Sequence, residues 1–241
     1  MQKISAVIIE DSRLARQELK ELVKGHPEIE IIGEAENVDD AHELITKTNP
    51  TLLFLDINMP EKDGFQLLEL LDQVPTVIFT TAYDEYAIKS FEYNAFDYLL
   101  KPINKERFAK SINKLLPTLE EKNSSSEDKT LTINSQIFIK EGEHCWMVAL
   151  KDITLFEIVG NYTRVYFEDK KPLIYKSLNQ IEAKLPEHNF FRVNRQQIIN
   201  LKTIKNVVPW FSGKLKMTLT NNVDVEVSRR QSQKFKQDLE F

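Results

Sequence analysis

The chain has 241 residues, 41% of them hydrophobic and 29% charged, which is ordinary for soluble globular material and enough for one large domain or two small ones. Cys145 is the sole cysteine, so an internal disulfide is excluded and a reducing compartment is the natural setting. With no basic segment ahead of an apolar stretch at the N-terminus, and no apolar run approaching the roughly eighteen residues of a membrane span, a cytoplasmic protein is expected.

Charge divides the chain. Residues 1–119 carry 13 basic and 21 acidic side chains, a net −8, whereas residues 130–241 carry 17 and 12, a net +5. The asymmetry points to an acidic partner such as nucleic acid for the second half, although a +5 domain is equally compatible with a plain soluble one.

Five short apolar runs come first, at residues 4–9, 29–33, 51–55, 76–80 and 96–100. Between them lie amphipathic stretches such as residues 12–23, where Leu14, Leu19, Leu22 and Val23 recur near the helical period. Ser12 and Asn104 suit helix N-caps, and Pro50 and Pro75 mark the entries to two strands. Strands alternating with helices predict an α/β doubly wound domain, a five-stranded parallel sheet covered on both faces.

Ligands of open α/β sheets bind outside the carboxyl ends of the strands. That edge carries Glu10 and Asp11 after the first run, Asp56 after the third, Thr80 and Thr81 after the fourth, and Lys101-Pro102 after the fifth. Three converging carboxylates repel one another unless a cation sits among them, and hard oxygen ligands with room for water suit Mg²⁺. A lysine and a threonine hydroxyl opposite them match the remaining oxygens of a phosphoryl group carried on Asp56. Any one of these residues alone fits a solvated helix cap; the set does not.

Residues 1–118 resemble the receiver domain of bacterial two-component response regulators. The resemblance implies that Asp56 accepts a phosphoryl group, that Glu10, Asp11, Asp56 and the backbone carbonyl of Asn58 hold Mg²⁺, and that Lys101 contacts the phosphate. It implies Thr81 as the switch hydroxyl, Tyr98 as the switch aromatic, and a cis peptide between Lys101 and Pro102. Glu10 stands where Asp is commoner, which lengthens the reach but keeps the charge. The donor implied is a histidine kinase, and the only catalysis is the chain's own phosphoryl transfer and hydrolysis at Asp56. Phosphorylation in this family remodels the face around the fourth strand and the next helix, where Tyr83 and Tyr86 make a dimer surface plausible; helix packing explains those aromatics as readily. Haloacid-dehalogenase-like phosphatases also use an Asp after a parallel strand but need a second Asp two residues on as general acid, and that position is Asn58.

Residues 120–129 hold no apolar side chain, so residues 119–129 read as a flexible linker between a domain at 1–118 and another at 130–241. The second half alternates with period two at residues 131–133, 136–139, 153–159, 163–167, 215–219 and 223–227, joined by turns at Gly160-Asn161, Glu168-Asp169-Lys170 and Asn221-Asn222. Only residues 177–185 and 230–239 read as helices, and no helix-turn-helix is present. This predicts a β-rich, mainly antiparallel domain. Polar and basic residues gather in its loops, and Arg and Asn are side chains able to read guanine and adenine edges; single loops of this kind are also ordinary solvated turns.

Residues 130–240 resemble a LytTR-type DNA-binding domain, on Phe191-Arg192-Val193-Asn194-Arg195-Gln196-Gln197-Ile198-Ile199-Asn200, Ile204 and Val227-Ser228-Arg229-Arg230. The resemblance implies Asn194 and Arg195 in the principal reading loop, Asn161 and Tyr162 in an earlier one, and Arg229 in the last. Many members carry His at the position of Asn194. Lys202, Lys205, Lys214 and Arg230 are candidates for contacts to the DNA phosphates. The expectation is a response regulator that binds double-stranded promoter DNA, homodimeric when phosphorylated; the alternative is a phosphorylation-dependent adaptor that binds protein.

Overall fold

The computed structural model describes residues 3–82, 96–122, 131–142 and 144–238. They fall into two compact units: Met1–Glu127 with Gln136–Phe138 and His144–Met147, and Asp128–Ser135 with Ile139–Glu143 and Val148–Phe241.

The first unit runs β1 (Ile4–Ile9), α1 (Arg13–Val23), β2 (Ile29–Ala35), α2 (Val38–Thr48), β3 (Leu52–Asp56), α3 (Gly64–Leu70), β4 (Thr76–Thr81), β5 (Asp97–Leu100) and α4 (Lys105–Lys122). All strand pairs are parallel, in the order β2-β1-β3-β4-β5. Every residue of β3 and β4 is buried, because strands covered on both faces read as continuous apolar runs. Their two-residue period divides the core: Val7, Ile9, Leu53, Leu55 and Phe79 face one layer, and Ala6, Ile8, Leu52, Phe54 and Ile78 the other. The strand order reverses between β1 and β3, so their carboxyl ends form the crevice where such sheets bind ligands.

Helix α1 covers the second layer with Leu19, Leu22 and Val23, while Leu14, grouped with them on sequence, is 83% exposed. At about 100° per residue, Leu14 lies about 140° round the helix from Leu19 and Arg16 only about 60°; Arg16 is accordingly the buried one. The expected caps are present: Ser12 Oγ accepts from the Ala15 amide at 3.5 Å, and Asn104 Oδ1 from Glu106 at 2.8 Å and Arg107 at 3.1 Å. Helix α4 continues to Lys122, into the segment expected as linker. Residues 123–130, and Tyr83 and Tyr86 of the expected dimer face, lie outside the described residues.

Strands β6 (Gln136–Glu141) and β7 (His144–Ala149) form a two-stranded sheet, of which Phe138, Cys145 and Met147 belong to the first unit and join its core beside Phe65. In the second unit follow β8 (Ile153–Val159), β9 (Tyr162–Phe167), β10 (Leu173–Ile174), α5 (Leu178–Glu182), β11 (Phe190–Arg192), β12 (Gln197–Asn200), β13 (Ile204–Trp210), β14 (Lys214–Leu219), β15 (Asp224–Val227) and α6 (Arg229–Asp238). They make two antiparallel sheets, β10-β9-β8-β12-β11 and β13-β14-β15. Leu155, Val193, Ile199, Met217, Val225 and Phe235 of α6 meet in its core.

Two sequence expectations change. Residues 131–133 are not a strand, because Ser135 closes a local turn, its amide donating to the Thr132 carbonyl and its hydroxyl accepting from the Thr132 amide, each at 2.9 Å. Strands β7, β10, β11, β12 and β13 were not foreseen; β13 is an edge strand interrupted by Pro209 and exposed beyond Ile204, so no alternation marks it. No helix among the described residues is long and apolar enough to cross a membrane.

Gly64 opens α3 against β3. A Cβ there would lie 2.5 Å from the Asp56 carbonyl oxygen, and this contact is to backbone that cannot rotate away. Gly64→Ala is expected to lower stability by about 1–3 kcal/mol, read as a fall in the urea midpoint. A second expectation concerns Asp97, at the start of β5, which receives both terminal nitrogens of Arg107 on α4. Burial raises its carboxyl pKa, but the hydrogen bonds from Arg107 and the Tyr98 amide prevail and hold it below the ordinary carboxylate value. A depressed folded pKa stabilises above the unfolded value of about 3.9 and is lost as pH falls through the folded one. Asp97→Asn should therefore cost about 1 kcal/mol at pH 7, a figure discounted for the half-exposed Arg107, and the cost should shrink at pH 3 in urea titrations.

Candidate acidic site and nucleic-acid interface

The carboxyl ends of β1, β3, β4 and β5 bring Glu10, Asp11, Asp56, Thr81 and Lys101 together. Carboxylate oxygens of Glu10, Asp11 and Asp56 lie within 4.8 Å of one another; Glu10 and Asp56 are buried and Asp11 is exposed. Lys101 Nζ donates to Glu10 Oε2 at 2.5 Å and to Asp56 Oδ2 at 2.7 Å. Its backbone amide donates to the Thr81 carbonyl at 2.8 Å, tying β5 to β4, and the Lys101-Pro102 peptide is cis. The Asn58 amide donates to Asp56 Oδ1 at 3.1 Å, and Asn58 Nδ2 lies 3.5 Å from Thr81 Oγ1. Tyr98 is buried, its ring 6.5 Å from that of Phe79.

Burial raises the pKa of Glu10, and the nearby Asp56 charge adds to it, against the opposing hydrogen bond from Lys101. Burial pulls Lys101 down, but its bonds to Asp56 and Glu10 outweigh this and leave it above the ordinary lysine value. Three carboxylates against one ammonium leave a formal charge of −2, concentrated where one residue of the set faces solvent. An all-oxygen donor set with that deficit fits a small hard dication such as Mg²⁺.

Arg16 and Gly64 were not foreseen as parts of this site. The buried Arg16 guanidinium donates to the backbone carbonyls of Glu10 at 2.5 Å and Asp11 at 3.2 Å and pairs with Glu36 at 2.5 Å, fixing the acidic turn. The available signal was an arginine on the apolar face of α1.

In the second unit, one end of a sheet gathers the expected reading loops. Gln197 on β12 lies opposite Glu157 on β8, and the Ile158 amide donates to the Gln196 carbonyl at 2.9 Å, so the turn at Gly160-Asn161 adjoins residues 194–196. The Ser228 amide donates to the Val193 carbonyl at 2.9 Å and Asn194 Nδ2 to the Glu226 carbonyl at 2.8 Å, which adds the Ser228–Arg230 turn. Asn161, Tyr162, Arg195, Arg229 and Arg230 are exposed on this edge. Lys214 stands near it, paired with Glu226 at 3.1 Å. Lys202 and Lys205 do not: Lys202 lies past the far end of β12 and Lys205 near that of β13, more than about 10 Å and about 16 Å along the strands at roughly 3.3 Å per residue, a separation invisible to a list of basic residues.

Asn194 is also placed differently from expectation. Its Nδ2 donates to Gln197 Oε1 at 2.9 Å and to the Glu226 carbonyl at 2.8 Å, and its Oδ1 accepts from the Gln196 amide at 2.8 Å. Both amide hydrogens are thus committed within the protein. Gln197 in turn donates to Glu157 at 2.8 Å, which accepts from the Tyr166 hydroxyl at 2.6 Å. Arg192 holds the same loop through the carbonyls of Asn194 at 3.2 Å and Arg195 at 3.0 Å. The sequence marked the loop but not this inner network; what it leaves at the apex is the exposed Arg195 side chain.

Comparison with known proteins bears on both units. Residues 6–113 match the response regulator receiver domain family, and residues 143–240 match the LytTr DNA-binding domain family. The chain is 34% identical over 236 residues to the sensory transduction protein LytT of Enterococcus faecalis, covering 97% of this chain and 98% of that protein. It is 36% identical over 245 residues to an uncharacterized response regulatory protein of Vibrio cholerae, covering 99% of each. With the transcriptional regulatory protein LytR of Staphylococcus aureus it shares 32% identity over 240 residues, covering 97% and 98%. Two matched domains in one chain, with relatives aligned from end to end, identify it as a member of the two-component response regulators that join a receiver domain to a LytTR DNA-binding domain.

Proposed function

We propose that Asp56 is the phosphoacceptor and that its phosphorylation by a histidine kinase in the cytoplasm controls promoter binding by the loops around Arg195. The observation that carries the reading is the placement of Lys101 between Asp56 and Glu10. An Asp56 oxygen attacks the phosphorus of a phosphohistidine in line; the new P–O bond forms as the P–N bond breaks, and the imidazole leaves as the base. Lys101 takes up charge on the equatorial oxygens. Asp11, Asp56, the Asn58 carbonyl and Glu10 would hold Mg²⁺, which would supply the remaining neutralisation of charge. Hydrolysis of the acyl phosphate resets the protein, and no other substrate is turned over.

Phosphorylation draws the Thr81 hydroxyl from Asn58 toward the phosphoryl group and favours the inward Tyr98, a shift of population rather than a new fold. Receiver pairing then joins two DNA-binding domains, so that weak contacts at two half-sites act at raised effective concentration. Arg195 and Arg229 read base edges, Arg230 and Lys214 contact phosphates, and Asn194 holds the reading loop in shape instead of reading a base itself.

Asp56→Asn should abolish labelling by a small phosphodonor with Mg²⁺, and chelation of the metal should do the same to the unaltered chain; label that persists in the Asp56→Asn protein removes Asp56 from its role. On duplexes retained from the source genome, Arg195→Ala and Arg229→Ala should each weaken specific binding by about 1–3 kcal/mol with relaxed sequence preference. Lys214→Ala should instead weaken all duplexes alike and flatten the salt dependence. Filter retention at two salt concentrations separates these outcomes.

A further inference from the structure

The tip between β13 and β14 carries two exposed aromatic rings that none of these roles uses. Phe211 is 75% exposed and Trp210 37%, their ring centroids 4.9 Å apart in a T-shaped contact. The bend is sharply defined: Ser212 and Gly213 both have positive φ, 57° and 74°, and Lys216 Nζ lies 5.0 Å from the Trp210 ring centroid. The rings are therefore presented at a shaped turn, with Trp210 braced from below.

This tip continues the edge already described. A Cβ at Gly213 would lie 3.9 Å from Arg229 Cγ and Nε; the Arg229 turn is bonded to Val193 through Ser228, and the loop of Asn194 is bonded onward to β8. One unbroken series of contacts thus leads from the turn at Asn161 through Arg195 and Arg229 to Phe211. Pairing with a second copy along this edge strand is opposed by Pro209, which lacks an amide hydrogen next to the tip end of the strand. The exposed Arg229 side chain beside Gly213 and the Lys216 ammonium against Trp210 bring positive charge appropriate to a polyanion to this turn.

We propose that Phe211, supported by Trp210, is an additional contact to duplex DNA, packing its ring against sugar and base edges beside the position of Arg229. Apolar side chains at such interfaces meet thymine methyls or wedge at a base step. The inference rests on the DNA-reading role of the neighbouring loops, and it adds an apolar, salt-insensitive component to an otherwise polar interface.

The test uses the full-length chain, treated with a small phosphodonor and Mg²⁺, and a fluorescein-labelled duplex selected from the source genome by the unaltered protein. Phe211→Ala should weaken binding by about tenfold and by the same factor at low and high salt, with an unchanged melting temperature. In a Trp146→Phe background Trp210 is the sole tryptophan, and saturation with the duplex should shield its emission from acrylamide. Arg195→Ala is the control. If it weakens binding while Phe211→Ala does not and Trp210 stays open to quencher, the tip is no DNA contact although the loops are. If the unaltered chain retains no duplex at all, the reading of the loops fails and this inference with it. A Phe211→Ala protein that binds normally but sediments at lower mass makes the tip an interface between copies and overturns the proposal.

Discussion

Lys101 places one ammonium between two carboxylates that the fold has taken out of water. Leaving Glu10 and Asp56 buried and mutually repelling would cost several kcal/mol, and neutralising them by protonation would remove the negative charge that the site concentrates. Burial indeed pushes Glu10 toward its protonated form, and the Lys101 bond opposes that shift. These residues leave three different strands, so the pairing exists only if β1, β3 and β5 end at the same level of one sheet. The apolar layers on both faces secure that level, and Arg16 and Gly64 trim it locally, one by holding the carbonyls of the acidic turn and one by giving the Asp56 backbone room.

The second unit answers a different demand. Its task is to hold loops at the end of a sheet in a shape that presents side chains outward, and it does so by spending internal polar groups on the loops themselves. Asn194, Gln197, Glu157 and Tyr166 form one connected set, with Arg192 closing the loop from the side. Such networks rigidify when fully satisfied, and a loop pre-shaped in this way loses less freedom on binding. The Asn194 amide is thereby turned inward, and the neighbouring Arg195 side chain is the one that faces outward.

Much of this was legible in the chain. The buried strands of the first unit announce themselves as apolar runs, and acids after the first and third runs, a threonine after the fourth and a lysine after the fifth define the site because parallel βα units bring carboxyl ends to one edge. In the second unit, alternation revealed β8, β9, β14 and β15, each with one face in the core. It missed β7, the short strands β10, β11 and β12, and β13, an edge strand with neither face fully covered, and it failed for residues 131–133, where Ser135 diverts the backbone into a turn. Leu14 was grouped with a face it does not share, since an approximate period tolerates an error that true helical geometry does not.

The sequence by itself determined the two modules, the chemistry of the acidic site and the loops that carry basic and amide side chains, because these depend on residue type and on spacing along the chain. Tertiary structure decided which of those side chains are committed internally and which face outward. It separated Lys202 and Lys205 from the edge shared by Arg195 and Arg229, turned the amide of Asn194 inward, and set Phe211 next to Arg229. Those outcomes depend on hydrogen bonds and strand lengths between residues distant in sequence, and such distances become definite only when the chain is folded.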